Sequence, residues 1–383
     1  MKTRTVLLGD IADTCLGKML DQNKNKGEYQ PYLANVNVRW GGFDLEDLPQ
    51  MKFLETEEER YGLRYGDILV CEGGEPGRCA IWKEQIPNMK FQKALHRVRV
   101  HQDEVDYRWL FYRFLYAKSQ GEFDQYFSGT TTIKHMPGEK LVKIRLDLPE
   151  LSAQNRIADV LSAYDTLIEN NQKQIKLLEE AAQRLYKEWF VDLRFPGYES
   201  TPIVDGVPEG WEKRPIDDVF SFKYGKLLKT TLLSEKGLYP VYGANGIIGY
   251  YSEKNCDDYV TLITSRGNGS GDVLRTHHKE TYVTNNSFIV QGKKSLYSLP
   301  FTHRLMNNID FKAICTGSAQ PQLTNSSIST LSITIPPNHI VTKFNEIVKT
   351  WYAKEDLLMQ QNVTLEEVRD ALLPRLMSGE MEV

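Results

Sequence analysis

The chain repeats itself, and a duplicated design narrows its possible folds more than any single motif does. Leu8-Gly9-Asp10-Ile11-Ala12-Asp13, followed by Leu16-Gly17-Lys18, returns 208 residues later as Ile216-Asp217-Asp218-Val219-Phe220-Ser221, followed by Tyr224-Gly225-Lys226. Ser128-Gly129-Thr130-Thr131 is echoed by Thr316-Gly317-Ser318-Ala319, and both lead into strand-like runs closed by proline, at 144–149 and 331–336. A helical segment follows each time: Leu178-Glu179-Glu180 matches Leu365-Glu366-Glu367 at a spacing of 187, and Leu185 matches Leu372. The order is globule, helix, globule, helix, with expected boundaries at 1–150, 151–195, 196–337 and 338–383.

The first helical segment is expected from about Ser152, as its cap, to Asp192. Ile168, Asn171, Ile175, Leu178, Ala182, Leu185 and Trp189 alternate three and four apart, a heptad stripe. The second begins after Pro336-Pro337 and carries Phe344, Ile347, Val348 and Trp351, then Leu358, Gln361, Leu365, Val368 and Leu372. Pro374 is expected to kink or end it. Either stripe could pack on its own globule, but matching lengths after matching globules favour mutual pairing through Ile168, Ile175, Leu178, Leu185, Leu358, Leu365 and Leu372. Two repeats in tandem relate by a pseudo-twofold axis, so the helices are expected antiparallel, with Asn171 and Asn362 (or Gln361) as polar register pins. About 40 residues at 1.5 Å each give a rod of roughly 60 Å, which would act as a ruler.

Each globule alternates short β-like runs with glycine turns, as in Val36-Asn37-Val38-Arg39-Trp40 before Gly41-Gly42 and in 259–264 before Arg266-Gly267. The fold class is therefore α+β: two mixed domains separated by two long antiparallel helices in a coiled coil. Glycine-rich turns stand at Glu72-Gly73-Gly74-Glu75-Pro76-Gly77-Arg78 and at Ser265-Arg266-Gly267-Asn268-Gly269-Ser270-Gly271. Neither has phosphate-loop spacing; each is either an ordinary turn or a hairpin tip carrying an Arg into a DNA groove. Thr130 and Thr131, with Lys134, and the echo at Ser318 and Gln320 place hydroxyls and amides on glycine turns, suited to phosphate or base edges. From Gln85 to Gln102 there is no acid, while the run includes Lys90, Lys93, Arg97 and Arg99. Arg97 and Arg99 alternate with Val98 and Val100, which predicts a strand with one basic face.

Catalytic patterns are missing. The chain lacks an Asn/Asp-Pro-Pro-Tyr/Phe methyl-transfer motif, a Walker lysine and a Gly-x-Ser-x-Gly elbow; Asp310-Phe311-Lys312 is its one Asp-x-Lys. A lone hydrolase built on Asp310 and Lys312 is the remote alternative. Five cysteines form no Cys-x-x-Cys pair, and His277-His278 lacks ligand spacing, so no metal is expected. With 41% hydrophobic and 26% charged residues, no long apolar run and an acid at Asp10, a cytoplasmic protein without membrane association is expected. A net charge of −4 leaves nucleic-acid binding open, because the local field decides it.

Taken together, these residues resemble the specificity subunit of type I restriction–modification systems over the whole chain. The most telling parts are Gly66-Asp67-Ile68-Leu69-Val70-Cys71 running into the 72–78 turn, Lys93-Ala94-Leu95-His96-Arg97-Val98-Arg99, Tyr239-Pro240-Val241-Tyr242-Gly243-Ala244-Asn245-Gly246, and the Gln154-Asn155-Arg156-Ile157-Ala158 helix entry. The resemblance implies two target-recognition domains that each read half of a split double-stranded DNA site. It further implies helices that dock two methyltransferase subunits, joined by motor-nuclease subunits. S-adenosylmethionine, ATP and Mg²⁺ would then belong to the partners, and none to this chain. A related system with a fused nuclease–methyltransferase is the alternative assembly. On this reading Lys93, Arg97, Arg99 and Lys134 contact phosphates, while Arg39, Glu72, Arg78, Tyr242, Asn245, Arg266 and Gln320 read bases. Trp40, Gly73, Gly74, Thr130, Thr131, Asn268 and Ser318 complete the expected surface.

Overall fold

The computed structural model describes residues 2–21, 25–130, 133–317 and 320–382. Its longer helices are α1 (Tyr107–Ser119), α2 (Leu151–Tyr186), α3 (Leu299–Asn307) and α4 (Asn338–Met377). The chain divides into two compact units, Met1–Glu169 with Asn362–Val383, and Asn170–Gln361. Both long helices are therefore shared, and each unit holds the start of one and the end of the other.

The first unit contains a four-stranded antiparallel sheet in the order Ala12–Leu16, Leu95–Val100, Ile68–Cys71, Cys79–Ile81. A second sheet sets Glu28–Leu33 antiparallel to Gln50–Phe53 and parallel to Lys90–Phe91. Thr3–Leu7 pairs with Arg145–Pro149 just before α2. The second unit reproduces this plan. Phe220–Tyr224, Ser287–Gly292, Thr261–Thr264 and Val273–Arg275 follow the same order. Tyr239–Gly243 is antiparallel to Gly246–Tyr251 and parallel to Tyr282–Val283. Glu212–Pro215 pairs with Ser332–Ile335 just before α4. Two copies of one topology stand in tandem, as the repeats predict.

The Gly-Lys echo has a steric cause. A Cβ on Gly17 would lie 2.3 Å from the carbonyl of Gln92, and one on Gly225 would lie 2.3 Å from the carbonyl of Thr284. In both copies the turn after the first sheet strand presses against a neighbouring backbone, and only glycine fits there.

In the first unit, Leu373 and Leu376 of α4 pack with Ile157 and Leu161 of α2, and Arg369 pairs with Asp165 at 2.6 Å. In the second, Tyr186 and Trp189 pack their rings on Phe344 at 5.9 and 6.1 Å, while Ala182 shares a core with Val348 and Tyr352. Within each unit the residue numbers run in opposite senses, so the helices are antiparallel. Of the pairing residues, Ile168 and Leu358 are buried and Ile175, Leu178, Leu185, Leu365 and Leu372 half-buried, all on the inward face. Asn171 and Asn362 are both buried, whereas Gln361 is exposed.

Two positions expected in the stripe of the second helix need correction. Ile347 and Val368 are exposed, and the inward face instead carries Glu355 and Arg369 beside the expected Asn362. A continuous 3–4 alternation through 344, 348, 351, 355, 358, 362, 365, 369 and 372 overrides the choice of the most apolar neighbour. Pro374 does not stop α4, which runs on to Met377. The first helix starts at Leu151 rather than after Ser152, and after Tyr186 it widens into a π turn, Lys187–Val191.

Polar ties fix each globule to its helices. Gln154 is wholly buried; its Oε1 accepts from the N–H of Asp106 at 3.0 Å and its Nε2 donates to the carbonyls of Glu104 and Pro149. Asn345 repeats the device, accepting from the N–H of Phe301 at 3.1 Å and donating to the carbonyl of Leu296 at 2.8 Å. In the second unit the Tyr352 hydroxyl and His303 Nδ1 share a 2.6 Å hydrogen bond. Burial, with the charges of Arg304 and Arg275 nearby, pushes His303 well below the ordinary histidine value. The unfolded chain takes up that proton below about pH 6.5 while the folded chain resists it, so this contribution is complete above that pH and is lost as pH falls. Urea unfolding of the second unit should therefore weaken between pH 7.5 and 5.5 by up to about 1.4 kcal/mol per pH unit, and His303→Asn should flatten that slope.

Candidate nucleic-acid interface

Three segments of the first unit meet at one end of its main sheet. They are the hairpin of Val38–Arg39 with Gly42–Phe43, the 72–78 turn, and the hairpin of Ser128–Thr130 with Ile133–His135. Asn35 Nδ2 donates to the carbonyl of Gly73 at 2.9 Å, and Arg78 Nη2 donates to the carbonyl of Asn35 at 3.0 Å. The N–H of Met136 donates to the carbonyl of Glu72 at 2.7 Å, and that of Gly41 to Cys79 at 3.0 Å. Gly73 is buried so close to this second hairpin that a Cβ would stand 3.1 Å from His135 Nδ1, while Gly74 turns with φ 73°.

The side chains there are organised around Glu75. Its Oε1 accepts from Trp40 Nε1 at 2.7 Å and from Lys118 Nζ at 3.1 Å, and Arg78 Nη1 approaches Oε2 at 3.4 Å. Lys118 Nζ also lies 4.3 Å from the centre of the Trp40 ring. Burial pushes the Glu75 carboxyl up, but the hydrogen bonds from Trp40 and Lys118 outweigh it and hold the group below its ordinary value. Glu75, Asn35, Lys118 and His135 were not among the expected site residues. Glu75 sits inside the quoted turn, whereas nothing local to α1 marks Lys118, which arrives from the helix end.

The basic residues sort into two groups. Arg39, Lys93 and Lys134 are exposed; Arg39 stands 3.4 Å from Asp44, and Lys134 is 3.7 Å from Asp124 and 5.3 Å from the Phe127 ring. The expected basic face of Leu95–Val100 is not solvent-facing. Arg97 is buried and donates to the carbonyls of Glu59, Arg60 and Gly62 at 3.0–3.3 Å. Arg99 grips the buried Asp67 through two bonds of 2.7 Å. Both guanidinium groups bind the sheet to the 59–67 segment, away from the three meeting segments. Arg78 likewise turns inward, and half-buried Glu72 faces His96. Thr130 lies on its hairpin strand, and Thr131 falls outside the described residues.

In the second unit the corresponding end is built by three other segments. Arg266 bridges Gln322, Ser270 Oγ donates to the carbonyl of Pro321 at 2.6 Å, and the N–H of Leu323 donates to Ser265 at 2.9 Å. Thr264 Oγ1 donates to the carbonyl of Ala244 at 2.5 Å, tying in the tip between Tyr239–Gly243 and Gly246–Tyr251. Asn245 Oδ1 lies where a Cβ on Gly269 would come within 2.9 Å. Asn245, Arg266, Asn268 and Gln320 are exposed on this confluence, and no acid pairs with Arg266 among the described residues. Ser318 falls outside the described residues. Tyr242 is a correction: it is buried, and its hydroxyl accepts from the N–H of His277 at 3.0 Å. An aromatic on an alternating strand next to a turn is ambiguous between tip and core, and here the core face takes it.

Lys312 and Asp310 border a cavity of about 390 Å³ with Asp272 and Asn307–Asn308. Lys312 pairs with Asp272 at 2.7 Å, which raises its pKa, and Asp310 accepts from the N–H of Ala313. Among the described residues no group of His, Cys, Asp or Glu is placed to hold a metal, and no helix is long and apolar enough to cross a membrane.

Comparison with known proteins gives concordant results. The family model for the type I restriction modification DNA specificity domain matches residues 2–180 and 208–367, one match in each copy. The type I restriction enzyme MjaIX specificity subunit of Methanocaldococcus jannaschii is 26% identical over 349 residues, covering 83% of this chain and 78% of that protein. The HindI specificity subunit of Haemophilus influenzae is 22% identical over 477 residues, covering 98% and 100%. A crystal structure of a type I restriction-modification S subunit from M. genitalium superposes with a TM-score of 0.60 at 19% identity, covering 98% of this chain and 99% of that one. That likeness concerns the fold.

The two kinds of arginine separate by experiment. Arg99→Ala leaves Asp67 charged and buried, and should cost about 3 kcal/mol in urea unfolding. Arg266→Ala removes no internal partner and should leave the midpoint unchanged within about 0.5 kcal/mol.

Proposed function

The chain belongs to the type I restriction–modification DNA specificity family, and from that premise we propose that its two tips read the two halves of a split DNA sequence. The observation that carries this reading is one topology built twice with different chemistry at the tip. The first tip presents Trp40, Glu75 and Arg39, and the second presents Asn245, Arg266, Asn268 and Gln320. A scaffold that is kept while its exposed side chains diverge suits two non-identical half-sites in the major groove, where each base pair shows its own pattern of donors and acceptors. Exposed Lys93 and Lys134 would contact phosphates and set the register on the duplex.

The subunit itself performs no chemistry on this reading. It brings DNA to two methyltransferase subunits docked along α2 and α4, with motor-nuclease subunits completing the restriction enzyme. S-adenosylmethionine, ATP and Mg²⁺ belong to those partners. The paired helices serve as the ruler that sets the unread gap.

Arg266 has the geometry of a guanine reader: exposed, on a fastened turn, and without an acid partner among the described residues. Arg266→Ala should lower preference for the cognate duplex about tenfold while binding to random duplex stays level. Equal loss on both duplexes would remove Arg266 from base reading. Inserting seven residues in both helices, after Leu178 and after Leu365, lengthens each by about 10 Å. The preferred gap should then grow by about three base pairs at 3.4 Å each, as read from the methylated motifs.

A further inference from the structure

We propose that Glu75 is the specificity-determining residue of the first tip, accepting a hydrogen bond from an exocyclic base amine, cytosine N4 or adenine N6. The inference rests on the DNA-reading assignment above and adds the chemistry of one half-site. Glu75 is the carboxylate at the point where the three fastened segments of the first unit converge, and its side chain is 45% exposed. Phosphates repel a carboxylate, so an acid at a DNA-reading tip needs a donor on the base edge. In the major groove the amines of cytosine and adenine are the only such donors.

Its surroundings are those of an acceptor prepared in advance. Trp40 and Lys118 both donate to Oε1, which fixes the carboxylate plane, while among the described residues Oε2 accepts one long bond, from Arg78 Nη1 at 3.4 Å. A carboxylate offers about four lone-pair positions and this side chain is 45% exposed, so it keeps acceptor capacity beyond these bonds. Lys118 and Arg78 also supply two positive charges beside the group, which offset its repulsion from the DNA backbone. Trp40 and Arg78 are then positioning residues whose polar groups hold Glu75 rather than touch bases. The second tip differs: its exposed groups include Arg266 and the amides of Asn245, Asn268 and Gln320, and the acid beside Gly269, Asp272, is paired with Lys312 at 2.7 Å.

The test uses the full chain assembled with its methyltransferase partner, selecting from a randomised duplex library. Wild-type assembly should recover a split motif; recovery of no motif at all would instead defeat the DNA-reading assignment. Glu75→Gln, which still accepts from Trp40 but presents an amide, should lose about tenfold preference for cytosine or adenine at one position of one half-site. The other half-site should remain unchanged. Glu75→Asp should keep the same base at that position with weaker preference. An unchanged motif with both variants, or loss of the whole half-site with both, would overturn the proposal, since Glu75 would then be only a structural tie of the loop.

Discussion

Neither long helix belongs to one globule, and this sharing is the constraint on which the rest of the structure depends. Each unit buries the start of one helix against the end of the other, with Ile157, Leu161, Leu373 and Leu376 in one core and Tyr186, Trp189, Phe344 and Val348 in the other. A 36- or 40-residue helix could not hold so mixed a sequence on its own propensity, since helical stability in proteins comes mainly from packing one face. The globule supplies that face. In return the helices supply the amides of buried Gln154 and half-buried Asn345, which satisfy backbone groups around the starts of α1 and α3. Folding of head and helix is thus one cooperative event within each unit.

The two copies keep this geometry while exchanging its chemistry. In the first, the Tyr112 hydroxyl of α1 donates to Asp165 of α2 at 2.5 Å, and Arg369 of α4 bonds the same carboxylate at 2.6 Å. In the second, His303 of α3 meets the Tyr352 hydroxyl of α4. At the repeat spacing of 187, Asp165 corresponds to Tyr352, so the hydroxyl has moved from globule to helix and the contact has survived. A buried hydrogen bond is retained as a pair because leaving either half alone costs more than the bond contributes. The same logic places Arg275 against Glu355 at 3.0 Å and Asp356 at 2.9 Å, with Glu355 on the helix face where an apolar residue would be expected.

What could be read from the sequence follows from how local each cause is. The tandem repeat was legible because Gly17 and Gly225 answer to a backbone contact that no other residue tolerates. The antiparallel pairing was legible in α2, where the stripe is nearly all apolar. It was misread in parts of α4 because Glu355 and Arg369 occupy inward positions, and their partners lie far away in sequence: Arg275 for Glu355 and Asp165 for Arg369. Arg97 and Arg99 looked like a basic face free for phosphate contact for the same reason. Asp67 is 32 residues from Arg99, and the carbonyls that hold Arg97 carry no side-chain signal. The segments that meet at each tip were all visible as glycine turns; which side chains point outward was not, as buried Tyr242 and overlooked Glu75 show.

Those inward arginines bear on how the tips work. In the first unit the strongly basic strand is spent on internal architecture, so the charge that faces outward near the tip is sparse and mixed. A tip of that kind gains little from nonspecific attraction and depends on shape and hydrogen-bond matching. Fastening matters correspondingly more: loops already tied by Asn35, Arg78, Thr264 and Ser270 lose less freedom when they bind. Because these ties run largely through backbone carbonyls, exposed side chains such as Asn245, Asn268 and Gln320 can change without disturbing them. A framework held by its main chain is one on which a new recognition surface can be set by substitution alone, and it explains how two copies of one fold come to carry unlike tips.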